Sequence, residues 1–542
     1  MLDLWYKTAI IYSLNVASYR DSNGDGIGDF KGLASRLDHI AKLGATCLWL
    51  LPIFPSPRLD YGYDVTDYYN VAPWSGTLGD FVEFTHQARL RGLRILIDLP
   101  LNHTSDQHPW FQAARNDPKS RYHDFYVWSK EKPKDIDSGV AFPGFQSSVW
   151  SWDDKANAWY FHRFYKYQPD LNIDNPEVRD EIKRIMGFWL ELGVAGFRLD
   201  ATPFLITEVR PDGTATPHYR LLNEMREFLS WRRGDAILLA EANVAPDEIS
   251  KFVSDQSRVQ MAFAFIVNQL IYLALARHQA EPLVRALDYA GRIPDLGQWA
   301  QFLRNHDELD LDRLSEEERQ DVYDAFAPDP SMRLFGRGIR RRVAPMLGGD
   351  RRRIELANSL MFSMPGSPVI FYGDEIGMGD ELSLPERWPV RTPMQWSAGR
   401  NGGFSSAPAD KLVHPLVSGQ YGPDKVNVVA EQRDPDSLFS WMRRLCDVRQ
   451  SCPEIGWGRW SVIETDHPAT LAHRFCWGGQ TTILLHNLDE QGHDVGIKLD
   501  DKEAGRLVDL FGDQTYEPTK GERQVVALDG YGYRWFRVET EA

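Results

Sequence analysis

Three carboxylates occupy equivalent places in this chain. Asp200 ends the run Gly196-Phe197-Arg198-Leu199, Glu241 ends Ile237-Leu238-Leu239-Ala240, and Asp307 follows Arg304-Asn305-His306. A fourth polar end, Asp98-Leu99-Pro100-Leu101-Asn102-His103, closes the run 94–98. A lone Asp after an apolar run is commonly a helix cap. Four such ends in one chain point instead to a shared site. Two chemistries use several carboxylates. One is metal binding, but these ends carry no His-x-x-x-His or His-x-His pair and the acids are isolated on separate runs. The other is glycoside chemistry, in which one carboxylate attacks an anomeric carbon and a protonated one donates to the leaving oxygen. Surrounding negative charge then stabilises the cationic transition state. Arg198 lies two residues before Asp200, on the same strand face, and would keep Asp200 ionised as a nucleophile must be. Glu241 has no basic neighbour in sequence and follows an apolar run. Its pKa is expected to rise, which suits the acid.

Such groups act together only if separate elements carry them to one rim. The runs 9–16, 46–52, 94–100, 196–201, 236–242, 261–265, 299–306 and 368–373 read as strands. Helical spacing fills 30–43, 78–93, 176–192, 218–233 and 352–364 between them, with Pro176 at a helix start. Eight buried strands alternating with helices predict an α/β fold of the closed (β/α)8 TIM barrel type, with chemistry at the C-terminal strand ends. The rival is an open doubly wound sheet. It would carry a Gly-rich phosphate loop after its first strand, and the nearest candidate, Gly26-Ile27-Gly28, sits among aspartates. Residues 104–174 are rich in Trp, Tyr, His, Lys, Asp and Pro and break the alternation. From 453 onward, short alternating runs such as 481–486, 523–528 and 533–538 predict a small antiparallel β domain. The expected division is barrel 1–103, inserted domain 104–174, barrel 175–452 and C-terminal domain 453–542.

The motifs DLPLNH (98–103), GFRLD (196–200), AE (240–241) and NHD (305–307) resemble, in order, the four signature regions of the α-amylase family, glycoside hydrolase family 13. The resemblance covers nearly the whole chain. It implies Asp200 as nucleophile, Glu241 as general acid/base and Asp307 as transition-state stabiliser. His103 and His306 would bind hydroxyls of the sugar being transferred, and Arg198 would orient Asp200. It also implies a B domain inserted after strand three, a C-terminal β-sandwich and retained α configuration. QPDLN (168–172), DYGYD (60–64) and RTPMQW (391–396) resemble the oligo-1,6-glucosidase branch. There the equivalents of Asp60 and Arg391 grip the terminal glucose, and the equivalent of Tyr63 stacks on it. Within the branch, 103–118, 302–309, 338–347, 349–356 and 366–380 are most similar to enzymes that isomerise maltose and trehalose. Departures are Val244-Ala245, where that group usually has Gln-Trp, and the segments 205–217 and 386–389, expected on the acceptor side. The implied function is therefore a retaining glucosyl transfer that isomerises a short α-glucoside. The alternatives are an exo-acting α-glucosidase or another glucosyl-transferring isomerase and, outside enzymes, a silent sugar-binding relative.

Asp21-Ser22-Asn23-Gly24-Asp25-Gly26-Ile27-Gly28-Asp29 places oxygen-bearing side chains at positions 1, 3, 5 and 9, with Ile27 at position 7. The oxygen set and the family resemblance suggest Ca2+. The alternative is an Asp/Asn/Gly turn whose side chains cap backbone N–H groups. Some relatives bind a second Ca2+ through residues equivalent to Asn102 and Asp170, and Mg2+ would suit either set. The net charge of −16 repels phosphate backbones and argues against nucleic acid. No apolar run reaches 18 residues, so no membrane partner is expected. Four cysteines in 542 residues make no disulfide framework. With no basic and apolar leader at the N-terminus, a cytoplasmic enzyme is expected. Its partner is a small α-glucoside, and a homo-oligomer is left open. The 18 Trp and 21 Tyr exceed what a core requires and suit sugar faces.

Overall fold

Eight short strands close into one parallel barrel: β1 (Ile11–Leu14), β2 (Cys47–Leu50), β3 (Arg94–Leu99), β4 (Gly196–Leu199), β5 (Ile237–Ala240), β6 (Met261–Phe263), β7 (Gln298–Phe302) and β8 (Ser367–Phe371). The computed structural model describes residues 4–134, 136–255, 257–499, 506–512, 515–516 and 523–539. Strand residues alternate sides. Ile11, Trp49, Leu96, Leu239, Met261 and Val369 pack together inside the barrel. Their neighbours Tyr12, Leu48, Ile97, Leu238, Ala262 and Ile370 belong to the larger core under the helices. The inward parity continues to the strand ends, so Asp98, Arg198, Asp200 and Glu241 all belong to the inward set. Register then sets Arg198 beside Asp98 on β3 and Leu239 on β5.

Two expectations change in detail. The seventh strand stops at Phe302, not His306. The Asn268 amide donates to the Phe302 and Leu303 carbonyls and takes them out of any strand ladder, so residues 305–307 lie in a loop. The helical stretch 30–43 is two helices, Phe30–Ala34 and Leu37–Leu43. At the break Ser35 Oγ donates to the Gly32 carbonyl, a side-chain bond that competes with the helix.

The insertion holds a three-stranded sheet of Trp128–Ser129, Trp150–Asp153 and Ala158–Phe161. Trp150 and Phe161 pack in a hairpin, while Arg163 and Phe164, just beyond it, face the cleft. At the C-terminus β9 (Arg459–Ile463), β10 (Thr470–Trp477), β11 (Gln480–Asn487), β13 (Arg506–Asp509), β14 (Thr515–Tyr516) and β16 (Tyr533–Glu539) form one sheet. The pair β12 (His493–Lys498) and β15 (Arg523–Leu528) forms a second. Ile463, Ile483, Val495, Ile497 and Phe536 share the core of this sandwich. All four cysteines are free, with Cys47, Cys446 and Cys452 buried and Cys476 exposed. Among the described residues no helix is long and apolar enough to cross a membrane.

Candidate active site

One buried guanidinium organises the acids at the barrel mouth. Arg198 Nη1 donates to Asp98 Oδ1 at 2.7 Å and to Asp200 Oδ1 at 2.5 Å, and Nη2 donates to Glu241 Oε2 at 2.5 Å. A single cation cannot offset three buried negative charges. Burial accordingly lifts Asp98 to about 6 and Asp200 and Glu241 each to about 7, with Arg198 pulling all three back. This corrects the sequence reading. Arg198 does not single out Asp200 for ionisation; it touches Glu241 as closely. Glu241 is raised by burial, as expected, but it has a cation in contact that sequence neighbours did not reveal.

Geometry separates the two acids. The Asp200 side chain is 11% exposed and that of Glu241 27%, so Glu241 is the one nearer solvent. Glu241 Oε2 also accepts the Ala201 N–H at 2.9 Å. Ala201 sits at φ 45°, ψ 43°, the left-handed region that a β-carbon makes costly. That turn directly follows Asp200 and aims the amide back at β5.

Asp307 is held by a second set of cations. Arg387 Nη1 and Arg391 Nη2 each donate to Asp307 Oδ1 at 2.9 Å, and His306 Nε2 lies 3.1 Å from Oδ2. Burial works to raise Asp307, and His306, Arg387 and Arg391 outweigh it, leaving the carboxyl below its usual range. Burial holds His306 itself far below its usual pKa, so the two guanidiniums carry the effect. The other end of Arg387 donates to Asp60 Oδ1 at 2.9 Å, and Gln168 donates to Asp60 Oδ2 at 3.0 Å. Asp60 and Arg391, expected to grip one sugar, make separate contacts here. The cation on Asp60 is Arg387, and Arg391 instead donates to the His306 carbonyl and lies 4.1 Å over the Tyr61 ring. The reason is local. Arg387 and Arg391 flank the single 3-10 turn Trp388–Val390, which delivers both side chains to one carboxylate. Within segment 386–389, Arg387 serves Asp60.

These groups border a cavity of about 450 Å3. Asp60, Tyr63, His103, Asp200, Glu241 and Asp307 line it directly. Arg198, His306 and Arg391 stand behind the lining, each no more than 1% exposed. Tyr63 joins the two layers. Its hydroxyl donates to Asp98 Oδ2 at 2.8 Å and meets His306 Nε2 at 2.7 Å, and its ring stacks on His306 at 5.6 Å and 10°. His103 Nε2 lies 3.2 Å from the Tyr63 carbonyl, and burial lowers its pKa to about 4, so it is neutral at pH 7. Sequence reasoning missed Arg387, Asn243 and Glu308, all in the lining. Arg387 had a usable signal, its four-residue spacing from Arg391. Burial raises Glu308 to about 7.

The 21–29 loop is closed by its own side chains. Asp21 accepts the N–H groups of Asn23, Gly24 and Gly26 and the Ser405 hydroxyl. Asn23 Oδ1 accepts the Asp25 N–H and Asp25 Oδ1 the Ile27 N–H. Asp29 takes three donors, from Ser22 N–H and hydroxyl and from Gly32 N–H, and caps the helix Phe30–Ala34. The donor set is all oxygen and fits a hard cation in type, while the hydrogen bonds are those of a capped turn. Asn102 and Asp170 are brought together, Nδ2 to Oδ2 at 3.0 Å, at a narrow cavity that Glu208 also lines. Burial raises Asp170 to about 7, an acid that an added cation would ionise.

A family model described as the α-amylase catalytic domain matches residues 12–323 and 336–458, and one described as a sucrose hydrolase-like C-terminal domain matches 479–537. A trehalose synthase of Thermus thermophilus is 43% identical over 99% of this chain, which spans 56% of that protein's length. A trehalose synthase of Pimelobacter sp. (strain R48) is 41% identical over 98% of this chain and 96% of its own. The crystal structure of an α-amylase from H. orenii superposes with a TM-score of 0.80 at 27% identity, covering 98% of this chain and 100% of its own.

Proposed function

The chain belongs to the α-amylase family, and on that premise we propose that it transfers a glucosyl unit with retention, isomerising maltose and trehalose with hydrolysis as a side reaction. The observation that carries this reading is the Arg198 fork, 2.5 Å from both Asp200 and Glu241 at the wall of one cavity. A fork of that span suits the carboxyl separation of roughly 5 Å that a covalent double displacement uses. Asp200 attacks the anomeric carbon while Glu241 gives its proton to the glycosidic oxygen, so glucose leaves neutral and a glucosyl ester forms. Asp307, ionised and held by two guanidiniums, lies where positive charge develops. Glu241, now a base, takes the proton of a different hydroxyl of the retained glucose, which attacks the ester. Attack by the anomeric hydroxyl yields trehalose, and attack by water yields glucose. Asp60, Tyr63 and His103 border the same pocket and would read the transferred ring.

Ca2+ is part of this proposal. Asp21, Asn23, Asp25, Asp29 and the Ile27 carbonyl would hold one ion, and Asn102 with Asp170 a second. The ion would supply rigidity to loops and no step of the chemistry. Mg2+ would suit the same oxygens. A reducing cytosol is the compartment we infer, because none of the four cysteines is paired.

Incubation with maltose and chromatographic resolution of products tests the central claim. Trehalose in excess of free glucose is expected. Glucose without trehalose would overturn isomerisation and leave an α-glucosidase working by the same two acids.

A further inference from the structure

We propose that His467, Asp489 and His493 form a binding site for a divalent ion of the zinc class, joining two loops of the C-terminal domain that rest on the barrel. His467 lies in the loop between β9 and β10, Asp489 in the loop after β11, and His493 opens β12. One ligand atom from each lies within 4.8 Å of the others, and all three residues are half-buried, open to an entering ion. Two imidazoles and a carboxylate are the ligands of zinc sites that keep one open position, and imidazole selects against Ca2+ and Mg2+.

The local geometry suits a metal. The two rings stack with centroids 3.7 Å apart at 26°. His493 Nε2 lies 3.0 Å from Asp489 Oδ2. Bonds of about 2.0 Å at a tetrahedral centre set ligand atoms roughly 3.3 Å apart, so these two atoms need little opening to share an ion. Asp489 Oδ1 accepts the Gln491 N–H at 3.2 Å, which orients the carboxylate. His467 Nδ1 accepts the Ala469 N–H at 3.3 Å, a long contact.

The site has a structural consequence. Its two loops are the ones that hold the barrel segment 278–280. Pro468 accepts the Ala280 N–H at 2.9 Å, and Leu488 accepts from His278 Nδ1 at 2.8 Å. An ion joining the loops stiffens that junction. None of the three ligands lines the catalytic cavity.

The test uses the full chain, stripped by chelator and dialysed into saturating Ca2+, then titrated with Zn2+ by calorimetry and melted with and without it. Zinc binding with a rise in Tm is expected. His467→Ala and His493→Ala should each weaken binding at least tenfold and abolish the rise, since a lost ligand costs that much or more. His218→Ala is the control, because Asp174, Glu208 and His218 are the other described cluster of metal-type side chains. Unchanged binding in the first two variants, or loss only in His218→Ala, overturns the proposal.

Discussion

Arg387 holds Asp60 and Asp307 by opposite nitrogens of one guanidinium, each at 2.9 Å. The two acids come from distant parts of the chain, so this side chain ties one wall of the pocket to another. Truncation leaves both carboxylates buried without that partner, a cost of about 3–5 kcal/mol for an ion pair broken from one side. Arg387→Ala should lower kcat/KM for maltose at least a hundredfold. Arg387→Lys should recover little, because one ammonium cannot span two carboxylates. Steady-state kinetics decide it, and a lysine variant with wild-type kcat/KM would refute the bridging role.

Asp200→Asn and Glu241→Gln should each remove nearly all turnover while circular dichroism stays native. A catalytic carboxylate supplies several kcal/mol of barrier, tenfold in rate per about 1.4 kcal/mol. Residual activity above about one tenth of wild type in either variant contradicts the assignment.

Asp200 and Glu241 are both raised to about 7, burial being the largest cause and Arg198 opposing it. Above that pH Glu241 loses the proton it must donate. Below it Asp200 gains one and cannot attack. The pair shares a cation and titrates as a unit, so kcat/KM should follow a narrow bell near pH 7. Removing the positive charge destabilises both ionised forms and raises both pKa values. Arg198→Met should therefore shift both limbs of the profile to higher pH as the rate falls. Limbs that stay in place would show that Arg198 does not set these protonation states.

If Ca2+ occupies the 21–29 loop, chelator should lower Tm and added Ca2+ should restore it, since an ion bound only to the folded state stabilises it. Asp21→Ala should erase the difference between chelated and loaded protein. A melting curve indifferent to chelator would leave the loop as a turn capped by its own side chains.

Much of this site was legible because a strand alternates strictly. Arg198 and Asp200 share a face at any register, and the apolar run 237–240 had to carry Glu241 to a barrel end. The order of short buried runs and helices was enough for the closed barrel. The limits of the helical stretch 30–43 and of β7 were not legible. A Ser35 hydroxyl and an Asn268 amide decided them by competing for backbone carbonyls.

The amino-acid order alone determined the barrel, its insertion and the acids at its mouth, because periodicity and strand parity are local properties. Only the tertiary structure decided which cation serves which acid. Arg198 reaches Glu241 across 43 positions and Arg387 reaches Asp60 across 327. Pairing of buried charges depends on distance in space and on shared desolvation, and neither can be read from spacing along the chain.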